Sequence, residues 1–369
     1  MTKDTKLVIL SIFLFALSAG ILFLGRPPRS QIPSHHSTSY NLTPTTSILF
    51  AGDIMLSRNV AAAIYKANDF TLPFQNVKDL ISGADIAFAN LESPFNDQGD
   101  HSVEGSMVFN ADPKFAAGLQ DAGFDILSTA NNHALDQGTT GLDLTINLLK
   151  QNNIIPTGTV STTGEPILPV IKKNNILYGF LSYSYTAKND GGQSTSPYIN
   201  DFNNLTKLRQ DIVSLKGHNA DVVIVNMHAG VEYTRTPTPE QVAFAHAAID
   251  AGAELVVGEH PHWVQTIEQY KGKWIFYSLG NFVFDQMFSP DTSEGLAVNV
   301  VFKDNTVDSI ELLPVEIENF CCPRWAMSIE AAAILKKINP QALSNFVVKD
   351  GVVSADWVNQ IKSSDLTNP

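Results

Sequence analysis

Between Ser47 and about residue 260 the chain alternates short apolar runs with amphipathic stretches. Five runs stand out: Ile48 to Ala51, Asp85 to Ala89, Phe124 to Ser128, Asp221 to Met227 and Glu254 to Val257. Each reads as a buried strand, and strands that alternate with helices predict an α/β architecture. The helices carry their own end signals. Thr238-Pro239-Glu240-Gln241 offers an N-cap, a proline at the first helical position and a Gln three residues after the cap, and Gly252 stops the helix. Asp112-Pro113 to Gly123 repeats the design. Beyond about residue 315 the pattern weakens. Pro314 to Pro323 closes the sheet, Ile329 to Ile338 predicts a helix, and residues 316–369 read as a helical appendage to a main domain at 47–315.

The N-terminus has a different pattern. Leu7 to Leu24 carries no charged residue, and a helix of that length spans about 27 Å, roughly the hydrocarbon thickness of a bilayer. Residues 1–25 therefore predict a membrane anchor. A cleaved signal peptide competes, because Ala16-Leu17-Ser18 offers the small residues of a cleavage site, but the apolar run continues past it. Lys3 and Lys6 flank one side and Arg26 and Arg29 the other, so flanking charge alone does not orient the segment. We expect a single pass at the cell membrane, with a short N-terminus inside and the bulk of the chain extracytoplasmic. Residues 26–46 are rich in Pro, Ser and Thr and have no apolar period, as in an extended tether. The vicinal pair His35-His36 within it reads as solvated.

Composition narrows the function classes. The 369 residues hold 24 Lys+Arg against 37 Asp+Glu, a formal charge of −13. That excludes a basic nucleic-acid binder, whose affinity comes from phosphate neutralisation. Hydrophobic residues at 44% and charged residues at 17% fit a large packed core rather than a disordered chain. The two cysteines, Cys321 and Cys322, are adjacent, so no disulfide framework exists and a thiolate metal site is disfavoured. They read as small buried hydrophobes, with a vicinal disulfide as the alternative.

The residues that follow the five runs carry the chemistry. They are Gly52-Asp53, Asn90-Leu91-Glu92, Asn131-Asn132-His133, His228, and His260-Pro261-His262. In open α/β sheets ligands bind at the carboxyl ends of the strands, so these clusters can converge on one site. Four of the nine histidines fall in them. Each has a bland alternative. Asp53 after a glycine can be a turn residue, Glu92 a solvated loop acid, the asparagines left-handed turn formers and His228 a satisfied core histidine. His260-Pro261-His262 is the most specific, because the proline removes a ladder donor and puts both imidazoles in a turn. His246 lies in the helix that begins at Thr238 and reads as structural; His101 and His218 read as solvated. Imidazoles, an amide oxygen and one or two carboxylates form a mixed N/O set suited to Zn, Mn or Fe rather than to Ca or Mg. Such a site can polarise a phosphoryl or carbonyl oxygen and acidify bound water. No Walker loop, Gly-x-Ser-x-Gly elbow or dinucleotide fingerprint follows any run.

Taken in order, Gly52-Asp53-Ile54-Met55-Leu56, Asn90-Leu91-Glu92, Ala130 to Gly138, His228 to Tyr233, Gly258 to His262 and Ser278 to Phe282 resemble the CapA family of capsule poly-γ-glutamate synthesis proteins. That family belongs with calcineurin-like metallophosphoesterases. The resemblance implies a four-layer α/β/β/α sandwich, a membrane-anchored protein acting outside the cell beside polymer synthase subunits, and an anionic polymer or small-molecule substrate. It also implies roles. Asp53, Glu92, Asn132, His228, His260 and His262 would hold a divalent metal, His133 would act as acid, and Asp136 would orient it in place of the acidic residue the family has at Ala134. Met55 stands where the family has a histidine ligand, so one ion is expected rather than two. Three functions follow: a capsule-polymer synthesis or export component with a metal-dependent hydrolase or transferase site, a phosphoesterase on another substrate, and a non-catalytic polymer-binding module. A polyanion would meet a chain of charge −13 and so needs a local positive centre, for which the metal, Lys188 and Arg235 are candidates.

Overall fold

A computed structural model describes residues 44–164, 169–186, 195–338, 347–349 and 352–354. The expected anchor, all but the end of the expected tether, and Lys188 lie outside the described residues. Among the described residues no helix is long and apolar enough to cross a membrane.

The described chain is a mixed α/β fold with two sheets. The first contains β1 (Thr45–Ile54), β2 (Ile86–Leu91), β3 (Ile126–Ser128) and β4 (Ile155–Thr157) as parallel neighbours in that order. The second is built from β5 (Val170–Lys173), β6 (Ile176–Ser184), β7 (Val222–His228), β8 (Leu255–Glu259), β9 (Ile267–Tyr270) and β10 (Lys273–Phe276), in the order β5-β6-β7-β8-β10-β9. Three further strands, β11 (Asn281–Val283), β12 (Glu294–Lys303) and β13 (Thr306–Glu318), return the chain to the first sheet. There β11 pairs parallel and β12 antiparallel with β1, while β13 pairs antiparallel with β12.

Burial on both faces explains why the runs read as continuous apolar stretches. Ile48 and Phe50 of β1 point between the sheets, where they meet Phe180 of β6, Ile224 of β7 and Val257 of β8 in one buried cluster. Leu49 and Ala51 point the other way. They pack with α1 (Arg58–Ala67), α2 (Lys78–Gly83), α3 (Ala116–Ala122) and α4 (Gly138–Gln151) through Val60, Ile64, Ile81, Leu119 and Leu149. Leu181, Val223, Val225 and Val256 on the outer face of the second sheet pack with Leu208 and Ile212 of α5 (Leu205–Gly217) and Phe244 and Ala248 of α6 (Pro239–Ala251). The layers thus run helices, sheet, sheet, helices. α6 has the expected ends: Thr238 and Gln241 form a capping box, and Gly252 closes the helix in left-handed backbone at φ 106°. Asp112 caps Lys114 N, and Gly123 ends α3 at φ 99°.

The C-terminal part departs from the expected pattern. β13 continues through Pro314 to Glu318, and β14 (Cys322–Trp325) pairs with it, so the sheet does not close at Pro314. Pro314 is accommodated within the strand, its carbonyl accepting from Ala326 N at 2.9 Å. α7 (Pro290–Ser293) and α8 (Ser328–Lys336) are short, and β15 (Val347–Lys349) and β16 (Val352–Ser354) extend the same sheet. Cys321 and Cys322 are buried as expected, but they are bonded to each other rather than behaving as two free thiols. The turn before them places Asn319 and Phe320 in left-handed backbone, which brings the pair into the tip of the β13–β14 hairpin.

The two sheets are held by the apolar layer between them, in which Phe88 of β2 stacks on Phe180 at 6.0 Å between centroids. Phe88→Ala should therefore lower unfolding stability by about 3–5 kcal/mol, whereas loss of the Thr238 cap in Thr238→Ala should cost about 1 kcal/mol. Urea denaturation of the two variants measures the difference, and equal effects would contradict this placement of the core.

Candidate metal centre

The parallel strands of both sheets end on the same side, and their last residues meet at the seam. Asp53 near the end of β1 is fully buried. Its Oδ1 accepts from Asn90 Nδ2 at 2.7 Å, and its Oδ2 accepts from the His260 backbone N at 3.3 Å, which ties the first sheet to the loop after β8. The close approach of β1 to the segment before β11 requires a glycine. A Cβ on Gly52 would lie 1.9 Å from the Gly280 carbonyl oxygen, whose acceptance from Asp53 N at 3.0 Å fixes the strand end.

The other candidate residues collect around Asp53. His262 Nδ1 is 3.6 Å from Asp53 Oδ2, and His228 Nδ1 is 3.8 Å from Asp53 Oδ1. His228 Nε2 lies 2.7 Å from Asn132 Oδ1 and 4.0 Å from Glu92 Oε1. The His260 ring is 4.9 Å from that of His228 and 6.2 Å from that of His262. One ligand atom from each of Asp53, Glu92 and His262 falls within 4.8 Å of the others. Asp53, Glu92, Asn132, His228, His260 and His262 are thus gathered in one buried region.

His133 stands at its edge. Its Nε2 is 3.8 Å from Glu92 Oε1, and its Nδ1 lies 2.6 Å from Asp136 Oδ2, which also accepts from the Phe109 backbone N at 2.6 Å. The ring lies flat on Phe109, with centroids 3.8 Å apart. Asp136 and Phe109 together leave His133 one orientation.

A divalent cation fits these residues. Both carboxylate oxygens of Glu92 are buried without a hydrogen-bond partner, and so is His260 Nδ1. Buried polar groups are ordinarily satisfied, and an orphaned carboxylate is costly. Met55, by contrast, is turned away from a ligand role: its Sδ accepts from Ser57 N and Oγ at 3.1 and 3.0 Å, within the apolar cluster under α1.

Burial sets the protonation states. It pushes the Asp53 carboxyl up to about 7 against the opposing bonds from Asn90 and His260 N. It pushes Glu92 well above the carboxylate range, and the Asp53 charge adds to this. Glu259, whose Oε2 accepts from Asn226 at 2.6 Å, is raised by burial and then by Asp53. The same desolvation holds His228 and His260 well below the usual histidine range and His262 at about 3. The imidazoles are therefore neutral at physiological pH, with lone pairs available for a cation, and the raised carboxyls retain protons, Asp53 in part, that a cation would displace.

Several site residues were not among the expected ligands. Asn90 bonds Asp53 and lies 3.2 Å from His228 Nδ1. Its signal was available, since it opens the Asn90-Leu91-Glu92 cluster that follows the second apolar run. Asn281 Oδ1 holds His262 Nδ1 at 2.9 Å. Arg58 is buried at the mouth of the site, paired through Nε and Nη2 with Asp285 and lying over the rings of Phe109 and Phe284. Arg235, by contrast, is committed elsewhere: it pairs with Asp291, donates to the Val264 carbonyl at 2.9 Å and covers Trp263. His246 is structural, as expected, bonded to Glu268 and stacked on Tyr270.

A two-sheet α/β scaffold with an Asp/Glu/His cluster at converging strand ends defines a protein equipped to hold a divalent cation. The family described as Bacterial capsule synthesis protein PGA_cap matches residues 47–286, and the chain belongs to that family. It is 28% identical over 360 residues to the PGA biosynthesis protein CapA of Bacillus subtilis (strain 168), covering 96% of this chain and 92% of that one. It is 31% identical over 306 residues to the Capsule biosynthesis protein CapA of Bacillus anthracis, covering 78% of this chain and 70% of the relative. Among solved structures, the NAD nucleotidase NadN of Haemophilus influenzae matches with a TM-score of 0.49 and 12% identity over 80% of this chain and 57% of that one.

The pKa directions set a pH dependence. Below about pH 6.5 the raised carboxyls and the lowered histidines act in opposite senses. The folded state holds extra protons on the former, and the unfolded state holds extra protons on the latter. Above the ordinary histidine value only the carboxyls differ: the folded state still binds their protons while the unfolded state has lost them, so stability falls as pH rises through about 7. The thermal midpoint of chelator-stripped protein should therefore drop between about pH 6.5 and 8 relative to protein loaded with Zn or Mn. A constant difference across that range would contradict the protonated state of Asp53 and Glu92.

Proposed function

We propose that this protein is a membrane-anchored, extracytoplasmic component of capsule polymer synthesis or export that carries a metal-dependent hydrolase or transferase site. Glu92, fully buried beside Asp53 and His262 with both oxygens unpartnered, is the observation that carries the site. Family membership and the names of the two Bacillus relatives support the setting in poly-γ-glutamate capsule synthesis beside synthase subunits. The helix, sheet, sheet, helix layering supports the four-layer sandwich of metallophosphoesterases, and a phosphoesterase acting on another substrate is the alternative that shares this donor set.

Asp53, Glu92, Asn132, His228, His260 and His262 would hold one ion, Zn, Mn or Fe by their mixed N/O chemistry. With Met55 bonded to Ser57, a second ion loses a ligand. When bound, the cation would supply a Lewis acid and acidify water. The remaining steps belong to the chain. Asn90 and the His260 backbone N hold Asp53 in place, and Asn281 holds His262. Asp136 accepts a hydrogen bond from His133 Nδ1–H, which leaves Nε2, on the Glu92 side, as the atom that would hand a proton to a leaving group after the ring has taken one up there. Asp136 thereby acts as a positioning residue.

Two sets of variants separate holding from chemistry. His260→Ala with His262→Ala should abolish metal content by elemental analysis of the purified protein. His133→Ala should keep the metal and lose about 10²- to 10⁴-fold in turnover of a generic phosphodiester or of γ-linked glutamate oligomers. Asp136→Asn should cost less than loss of the imidazole. Retention of metal, fold and full capsule output in His133→Ala would make His133 structural and favour a non-catalytic binding module. The topology has its own measurement. The uncharged run Leu7 to Leu24 predicts that protease added to intact spheroplasts digests the domain or its tether, and complete protection would rule out an extracytoplasmic domain.

A further inference from the structure

Beside the metal cluster lies a cavity of about 470 Å³, within the range of small-molecule sites. His133 and His262 line it, so it opens onto the residues proposed above to hold and serve the reacting group. Its other walls are largely apolar, and four of them are unusually open to solvent. Met107 is 58% exposed, Phe288 67%, Phe320 49% and Tyr233 36%. These four come from four separate segments: the loop after β2, the loop after β7, the loop after β11 and the β13–β14 turn. Tyr233 packs edge-on against Phe288 at 5.4 Å and along His262 at 5.9 Å, which joins the apolar mouth to the cluster. Large apolar side chains converging from four segments on one opening mark a binding surface rather than scattered exposure. The charges of the cavity point the same way. Arg58 is paired with Asp285, and Glu104 and Glu232 add negative charge, so the opening disfavours a polyanionic chain laid along it.

We propose that this cavity receives the apolar part of an amphiphilic substrate, a phosphate or carboxylate head on an apolar chain, whose head reaches the Asp53, Glu92 and His262 cluster. This deepens the metal-dependent assignment of the same site and rests on it. The site then acts on a small amphiphilic substrate in the capsule pathway rather than along the polyanion itself.

Ethyl, butyl and hexyl phosphate, with 1-hexanol as the headless control, test this by calorimetric titration of metal-loaded full-length protein. Affinity should rise about twofold to fourfold per methylene, the range expected for partial to full burial. Phe288→Ser combined with Phe320→Ser should remove most of that slope. Both side chains are exposed, and the thermal midpoint of the double variant reports whether the fold is kept. Phosphates that bind with no dependence on chain length would overturn the apolar subsite while leaving the metal site standing. A slope that persists in the double variant would also overturn it, by placing the chain elsewhere. Hexanol binding as tightly as hexyl phosphate would overturn the amphiphile by removing the role of the head, while metal content would still report on the cluster separately. A flat slope, with the same two residues instead required for cosedimentation with phosphatidylcholine vesicles, would overturn the proposal in favour of a membrane contact.

Discussion

Two buried carboxylates, with no cationic side chain bonded to either among the described residues, set the terms for the rest of the structure. Asp53 and Glu92 lie at the seam of the sheets with no exposure to water. An unpaired buried charge is among the most expensive features a fold can carry, and it persists only if it is neutralised. The charge of Arg58 is felt at Glu92, but its guanidinium is bonded to Asp285. What remains is protonation or a divalent cation. The surroundings are arranged for that exchange: Asn90 and a backbone amide satisfy Asp53, nothing satisfies Glu92, and three imidazoles are kept neutral by the same desolvation.

Holding such a group requires a scaffold that does not yield, and part of the backbone strain sits where the chemistry is. Arg58, Tyr233, His260 and His262 all adopt left-handed backbone, at φ 53°, 60°, 98° and 58°. Non-glycine residues in that region cost about 1–3 kcal/mol each and persist where the surrounding structure over-determines them. Here the determination comes from packing on both sides of both sheets. The three apolar clusters leave the strand ends no freedom to relax, and Tyr233 N is further pinned to the Pro261 carbonyl at 2.9 Å.

The parts legible in the sequence were those governed by local rules. The strand runs appear as β1, β2, β3, β7 and β8, and the Thr238 capping box and Gly252 bound α6 where their chemistry requires. The convergence of the strand-end clusters followed from a general property of parallel sheets. What was not legible depends on distant partners. Arg58 and Asp285 are 227 residues apart, and nothing in either neighbourhood announces the pair. Arg235 had been a candidate positive centre because of its sequence position, yet Asp291, 56 residues away, claims it. The late return of β12 to pair with β1 is equally non-local, and β13 pairs only with the strand so placed and with strands that follow it, which is why Pro314 looked like an end rather than a residue within a strand.

The charge of the chain bears on how a substrate reaches this site. A net −13 and acidic residues at the cavity mouth repel anions over roughly the 8–10 Å Debye length at physiological salt. A cation at Asp53 and Glu92 would neutralise their charge and offer a Lewis acid at contact range, but only to a group that has already entered. Long-range attraction is therefore absent for an anionic substrate, and the energy that brings it through the mouth must be short-ranged. Contact with Phe288, Phe320 and Tyr233 is short-ranged and insensitive to salt. The apolar mouth and the carboxylate cluster then divide the work, the first supplying affinity for the chain of the substrate and the second selecting the charge of its head.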